Sequence, residues 1–316
     1  MMDLNLNKTI NMNDITKKLL GEITDFKADF KGAFNIREDG GCAGRQSSAN
    51  IRIESKTDKP GIDIRVLSGT KGETVYIPAC VTHSDVNDLV YNDFYIGEGA
   101  DVIVVAGCGV HSEGEEEASH NGIHRFFLEK DSRVKYVEKH LGTGNGNGNR
   151  TIDPVTEIFM GENSVLEMDT EQLRGVDRSD RKTTATAAAG AKLIIREKLL
   201  TDGEDVADTF FHVDLNGEGA SADIVSRAVA RGNSRQSYSS TIVGNAPCSG
   251  HSECDAIIDG HASVDAAPRM VANHCDAALI HEAAIGKIAG EQILKLRTLG
   301  LTEEEAEAKI IEGFLS

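Results

Sequence analysis

The chain has 316 residues, enough for one large domain or two smaller ones. Apolar residues make up 40% and aromatics only 5%, with no Trp, so any core has to be built from Ile, Val, Leu and Ala. A formal charge of −18 repels phosphate backbones and argues against a nucleic-acid partner. Glycine is frequent (32) and proline rare (5), which suits short strands joined by tight turns.

The opening MMDLNLNKTINMND has no basic segment followed by an apolar stretch, so no signal peptide is expected. The longest apolar run, VIVVAGCGV at 102–110, is too short to span a bilayer. A cytoplasmic location is expected. The six cysteines are then expected to be thiols, open to metal or sulfur chemistry rather than disulfides. In DITKKLLGEI, 14–23, Ile15, Leu19, Leu20 and Ile23 have helical spacing. A polar, linker-like stretch follows to about Asn50.

From 51 to 280 short β-like runs recur: IRIES, TVYIPACVT, DVIVVAG, HRFFLEK, RVKYVEKH, SVLEMDT, KLIIREKLL, TFFHVDL and ADIVSRAVAR. Several alternate apolar and polar residues. Many follow small-residue turns of one type: GEGADV (97–102), GENSVL (161–166), AGAKLI (189–194), GEGASA (217–222) and GHASVD (260–265). Turn spacings of about 30 residues fall in the range of stacked coils, and no long helical pattern separates the strands, which argues against a βαβ fold. A β-solenoid and a β-sandwich or barrel both fit this pattern. The loop GTGNGNGNR, 142–150, lacks the Gly-Lys-Ser/Thr ending of a P-loop. If nucleotide hydrolysis is involved, another protein must supply it.

After 280 the pattern turns helical. EAAIGKIAGEQILKLRTLG places Ile285, Ile288, Ile293, Leu294 and Leu296 near one face, with Gly300 as a C-terminal cap. Thr302 and Glu305 form a capping-box signature before EEEAEAKIIEGF. The two helices read as an αα-hairpin, serving as an end cap, a docking surface or both. The expected domains are an N-terminal helical and extended segment (1–50), a β core (51–280) and a C-terminal helical domain (281–316).

One candidate metal segment is GCGVHSEGEEEASHNGIH, 107–124, with Cys108, His111, His120 and His124. Cys-x-x-His and His-x-x-x-His are ligand spacings, and His120 and His124 share a face in a strand or a helix. The alternative is a solvated acidic loop. Cys42 and Cys80 read as structural.

The stretches ARGNSRQSYSSTIVG (230–244), SECDAIIDGHASVDAAPRM (252–270) and LIHEAAIGKIAGEQILKLRTLGLTEEEAEAKIIEGFL (279–315) resemble the SufB/SufD family, scaffold proteins of the SUF iron–sulfur cluster assembly system. The resemblance runs more weakly back to about residue 70 and is specific in its C-terminal part. It implies a mainly β fold, a right-handed parallel β-helix (β-solenoid) with an N-terminal helical segment and a C-terminal α-helical hairpin. It implies a non-enzymatic scaffold that works with a SufC-type ABC ATPase docking on the C-terminal helices. The chain is shorter than the larger members, which leads to the expectation of a homodimer.

By the same resemblance Cys254 and Glu282 stand at ligand positions for a nascent iron–sulfur cluster, and His281 at the position of the histidine that SufD contributes. Mixed thiolate, imidazole and carboxylate ligation holds iron more loosely than four thiolates, as a scaffold that must release its cluster requires. Each residue has a plainer reading: Cys254 as a small core residue, His281 and Glu282 as the cap of a helix starting there. Cys275 borders the site if 274–280 is a strand, since it then shares a face with His281. Cys248 is a candidate sulfur-relay thiol. The chain departs from the family at Met160, where the resemblance implies a cysteine that accepts sulfur from a donor protein; a thioether cannot carry a persulfide. Either sulfur enters by another cysteine or as free sulfide, or the chain is SufD-like in this respect; a SufD-like platform without its own cluster is the second reading. A β-solenoid polysaccharide lyase or hydrolase is a remote third, disfavoured by the few aromatics and the missing signal.

Overall fold

The computed structural model describes residues 12–27 and 29–315; residues 1–11, read above for a signal peptide, lie outside them. The expected N-terminal helix is α1 (Asp14–Ile23). Asn13 caps it by accepting from the Thr16 amide at 2.7 Å, and Leu19, Leu20 and Ile23 form its buried stripe.

The stretch expected as a polar linker is a β-hairpin. β1 (Ala33–Glu38) and β2 (Gly41–Gln46) pair antiparallel. Asp39 and Gly40 join them with φ of 45° and 78°, the paired positive angles that an Asp-Gly turn supplies. A second antiparallel hairpin follows, β3 (Ile51–Ser55) and β4 (Gly61–Val66).

The chain continues through β5 (Lys71–Tyr76), β6 (Ala79–Val81), β7 (Asn87–Ile96), β8 (Asp101–His111), β9 (Ala118–Leu128), β10 (Arg133–Thr143), β11 (Arg150–Ile152) and β12 (Val155–Met160). Then come β13 (Val165–Arg174), β14 (Arg178–Ala187), β15 (Lys192–Thr201), β16 (Val206–Leu215), β17 (Ser221–Ala230), β18 (Arg235–Gly244), β19 (Cys248–Ile258), β20 (Ser263–Ala272) and β21 (Ala277–Gly286). One sheet runs β2-β1-β5-β8-β10-β13-β15-β17-β19-β21, and the other β20-β18-β16-β14-β11-β9-β7-β4-β3, with β6 and β12 alongside. From β7 onward the chain alternates between the sheets, except that β11 and β12 follow one another in the same sheet, and every pairing is parallel. Asp101 pairs with Arg133, a step of 32 residues, and Val165 with Lys192, a step of 27. The fold is a β-solenoid of about eight turns, not a sandwich or barrel.

The repeated turns hold the coils in register. Gly99, Asn163, Gly190, Gly219 and Gly260 all have φ between 55° and 73°. At Gly190 a Cβ would also lie 2.2 Å from Asn163 Oδ1 of the coil below, so this turn needs glycine for conformation and for space. Inside, apolar side chains from both sheets make a continuous core, with Phe94 stacked on Phe126 at 4.3 Å.

The glycines of GCG explain where α1 sits. A Cβ on Gly107 would lie 2.9 Å from Ile23, and one on Gly109 3.1 Å from Leu19. The helix lies against the outer face of β8, where the bare backbone lets it approach, while Cys108 points into the core.

At the other end, the helix expected from Glu282 is corrected. β21 continues to Gly286, in register with β19. α2 (Gly290–Thr298) starts later, so Ile285 and Ile288 precede it. The ready partner strand overrides the helical propensity of the Ala-rich segment. α3 (Glu303–Phe314) carries the expected capping box, and Gly300 has the expected positive φ, 98°. Here the core opens: Ile285, on the inner face of β21, is 42% exposed, and Ile280 on its outer face 58%. No helix among the described residues is long and apolar enough to cross a membrane.

Candidate functional site

Strand alternation decides what the sequence-predicted ligands can do. On β19, Ser252 and Cys254 are buried, while His251 and Glu253 lie on the outer face. On β21, His281 pairs with Ser252, Glu282 with Glu253 and Ala283 with Cys254. His281 thus shares the inner face with Cys254, and Glu282 lies on the outer face. Among the described residues no group closing on one point contains Cys254 with His281 or Glu282. What the structure gathers around Glu282 is His251 and Glu253, all three with ligand atoms within 4.8 Å of one another. His251 Nδ1 is 2.8 Å from Asp223 Oδ1, and its Nε2 faces Glu282 Oε2 at 3.9 Å. Asp223 is itself paired with Arg196. A carboxylate behind an imidazole is the usual orienting arrangement for a metal-binding histidine. Neither His251 nor Glu253 was singled out from the sequence, although both stand at odd offsets from Cys254 in a strand-like run and so on the face of Glu282.

Cys254 is 1% exposed. Burial, then the nearby Glu197 and Asp255 carboxylates, pushes its thiol up to about 12. It is protonated at neutral pH and unreactive while buried. Cys248 is also buried, with its thiol raised by burial. Cys275 is not on a strand with His281: it is exposed in the turn before β21, where its sulfur, His274 and Asp276 lie within 4.8 Å. Met160 is buried in the core. All six cysteines are free.

The 107–124 segment divides between inside and outside. Cys108, His120 and His124 are buried. His111 is on the opposite side of β8, with Nδ1 2.9 Å from Thr143 Oγ1 and Nε2 3.4 Å from Glu113. Cys-x-x-His is a helix or loop ligand spacing; in a strand an offset of three turns the two side chains to opposite faces. His120 and His124 do share the inner face. His120 Nδ1 is 3.1 Å from Asp88 Oδ2, and Arg37 clamps the same carboxylate. Burial alone would raise Asp88, but His120 and Arg37 hold it well below the usual carboxylate range.

A polar row continues from there through the core. Tyr136 donates to Glu138 Oε1 at 2.7 Å, and Arg181 Nη1 donates to Glu138 Oε2 at 2.8 Å. Arg181 Nε also lies 3.5 Å from Glu197, which accepts from Ser226 at 2.6 Å. Despite its burial Glu138 is held well below its ordinary value by Arg181 and His140. His140 pairs with Cys108 across the sheet, and Cys108, Glu138 and His140 make a fully buried group with ligand atoms within 4.8 Å. The signal was present in the sequence: one coil of 32 residues beyond Cys108 falls on His140.

Residues 91–314 match the family model described as SUF system FeS cluster assembly, SufBD core domain. The chain belongs to the SufBD family. Three relatives carry the description iron-sulfur cluster assembly SufBD family protein. That of Methanothermobacter thermautotrophicus is 29% identical over 83% of this chain and 64% of its own length. That of Archaeoglobus fulgidus is 30% identical over 84% and 70%, and that of Methanocaldococcus jannaschii 26% over 85% and 86%. The chain thus spans 64% of the length of the Methanothermobacter relative. The matched SufBD core begins inside β7 and takes in the polar row from His120 onward, β19, β21 and both C-terminal helices; α1 and the two antiparallel hairpins precede it.

Proposed function

We propose that this SufBD chain is a scaffold subunit for iron–sulfur cluster assembly, acting in the cytoplasm as a homodimer with a SufC-type ABC ATPase on its C-terminal helices. In this reading Cys254, His281 and Glu282 bear the transient cluster, and a separate protein donates the sulfur. Family membership supports the role in cluster assembly. The observation that carries the reading is the position of these donors: they lie on neighbouring, in-register strands at the uncovered end of the solenoid.

The donor types suit a cluster that must be released. One protomer splits them between two sheet faces, so a complete site needs the second copy or a movement of the last coil. A two-fold axis at this end would supply Cys254 and His281 from one side and Glu282, with His251 and Glu253, from the other. The burial that keeps the Cys254 thiol near 12 also makes it inert. Opening the end coil lets the thiol fall toward its ordinary value and bind iron as thiolate. ATP hydrolysis by the partner is the natural source of that opening, and the exposed Leu294 and Leu299 of the α2 segment give it a surface to grip.

Met160 supports a second reading. It is a buried thioether where the family resemblance implies a sulfur-accepting cysteine, as expected of a platform for the ATPase without a cluster of its own.

Anaerobic reconstitution with ferrous iron and sulfide separates the two. The scaffold reading predicts sulfur-to-iron charge-transfer absorbance in the wild type, its loss in Cys254→Ser and at least a several-fold drop in Glu282→Ala. No cluster in the wild type, with or without the ATPase, establishes the platform. A cluster indifferent to both substitutions moves the site elsewhere.

A further inference from the structure

The interior group at Cys108 belongs to a different part of the solenoid from Cys254, and its argument does not rest on the cluster reading. Cys108, Glu138 and His140 are 4%, 1% and 3% exposed. Together they offer a sulfur, an oxygen and a nitrogen within 4.8 Å of one another.

The imidazole is oriented from behind. Gln172 Nε2 donates to Ser179 Oγ at 3.0 Å, which turns the amide carbonyl to His140 Nδ1 at 3.3 Å. Nδ1 thus has its partners on the protein, and Nε2 is the nitrogen turned toward Cys108 and Glu138. Arg181 Nη2 lies farther off, 3.4 Å from Nδ1. Nε2 has no hydrogen-bond partner, yet Glu138 Oε2 lies 3.4 Å from it. A fully buried ring nitrogen without a hydrogen-bond partner, set beside a carboxylate and a thiol, offers a metal a ligand position.

The buried guanidinium of Arg181 already serves both Glu138 and Glu197, and Cys108 would bind an ion as the thiolate, its proton displaced. Beside the group lies a cavity of about 30 Å³ bordered by Cys108, Asn92, His120 and His124 but by neither Glu138 nor His140, enough for one water next to the sulfur. The cavity also touches Arg45 and the exposed Cys42 of β2, which gives an ion a way in.

We propose that the N-terminal half of the solenoid holds a borderline divalent transition metal, zinc or ferrous iron, on Cys108 Sγ, Glu138 and His140 Nε2. Gln172 orients the histidine, and a water in the cavity takes the fourth position. The Cys/His/Glu set suits these ions rather than magnesium or calcium. Ligand bonds of roughly 2.0–2.3 Å require the three side chains to draw in by about an ångström.

The test uses cobalt(II) as a spectroscopic stand-in, in a Cys254→Ser, Cys275→Ser background that removes thiols near the proposed cluster site. The expected result is one equivalent bound, with tetrahedral visible bands and a thiolate charge-transfer band in the near ultraviolet. Cys108→Ser should abolish the charge-transfer band. Gln172→Ala should weaken binding by about 10- to 100-fold without changing the ligand set. Should Cys108→Ser not fold, X-ray absorption of the zinc-loaded Cys254→Ser, Cys275→Ser protein decides: one sulfur with nitrogen and oxygen neighbours supports the site, and a sulfur-free shell overturns it. Folded protein that takes up no cobalt overturns it as well, as does a thiolate band that survives Cys108→Ser. None of these outcomes depends on whether a cluster forms at Cys254.

Discussion

His124 shows how a core histidine sets a pH limit on the fold. Tyr136 gives its hydroxyl hydrogen to Glu138, so its oxygen, 2.9 Å from His124 Nδ1, accepts from the ring. Nε2 is then left to accept from Asn92 at 3.2 Å. The ring is satisfied only as the neutral tautomer. Burial pushes it down to about 4, against some upward pull from Glu138 and with further lowering by His120, His140 and Arg181. Because the folded value lies below the unfolded one, this histidine contributes its full stability above about pH 6.5. The contribution is lost as pH falls from there toward 4, where the unfolded chain binds the proton first. The shift corresponds to about 3 kcal/mol at most. Urea unfolding at pH 7 and pH 4.5 should show a larger loss for the wild type than for His124→Gln, by about 2 kcal/mol. Equal losses would mean that the proton goes elsewhere in the polar row. At this scale the sequence showed that His120 and His124 share a face, but not that His111 turns away or that Glu138 and His140 join Cys108. Those facts follow from strand alternation and coil length, which a motif spacing does not contain.

The same contrast holds for the elements. Helix α1 was legible because its apolar spacing belongs to the helix alone, and α3 because its capping box is local. The Asp39-Gly40 hairpin was missed: its Asp-Gly turn signal stood in a mostly polar stretch that read as a linker. β21 was not legible either, because HEAAIGKIAG has helical propensity and is a strand only by pairing with β19. The bare glycines of β8 give the clearest test of element docking. Gly107→Val places a branched side chain where a single Cβ already meets Ile23 at 2.9 Å. The inner face of β8 is untouched, so the solenoid should fold with α1 displaced. Amide exchange in 14–23 should rise by about 10-fold or more, with the core strands still protected, since helix stability comes mainly from packing its apolar face. A protected helix would show that the sheet bends to admit the side chain.

The two ends of the molecule are finished differently. At the N-terminal end the antiparallel hairpins and α1 cover the first coils. At the C-terminal end β20 and β21 are edge strands with open backbone groups, and exposed Ile280 and Ile285 lie on the last of them. An uncovered apolar edge is a site for pairing, and the proposed homodimer covers it with a second copy. Both copies carry a charge of −18, so their repulsion is screened by salt. The wild type should therefore sediment as a dimer, more tightly at 0.5 M than at 0.05 M salt. Ile280→Asp with Ile285→Asp should sediment as a monomer with unchanged circular dichroism, because the two side chains are 58% and 42% exposed in one protomer. If the cluster site needs donors from both copies, the same double variant should also lose cluster absorbance on reconstitution while Cys254 stays intact. A monomeric wild type that still assembles a cluster would sink the two-fold site and leave the last coil of a single chain to complete it. A dimer that survives both aspartates would place the interface elsewhere on the solenoid.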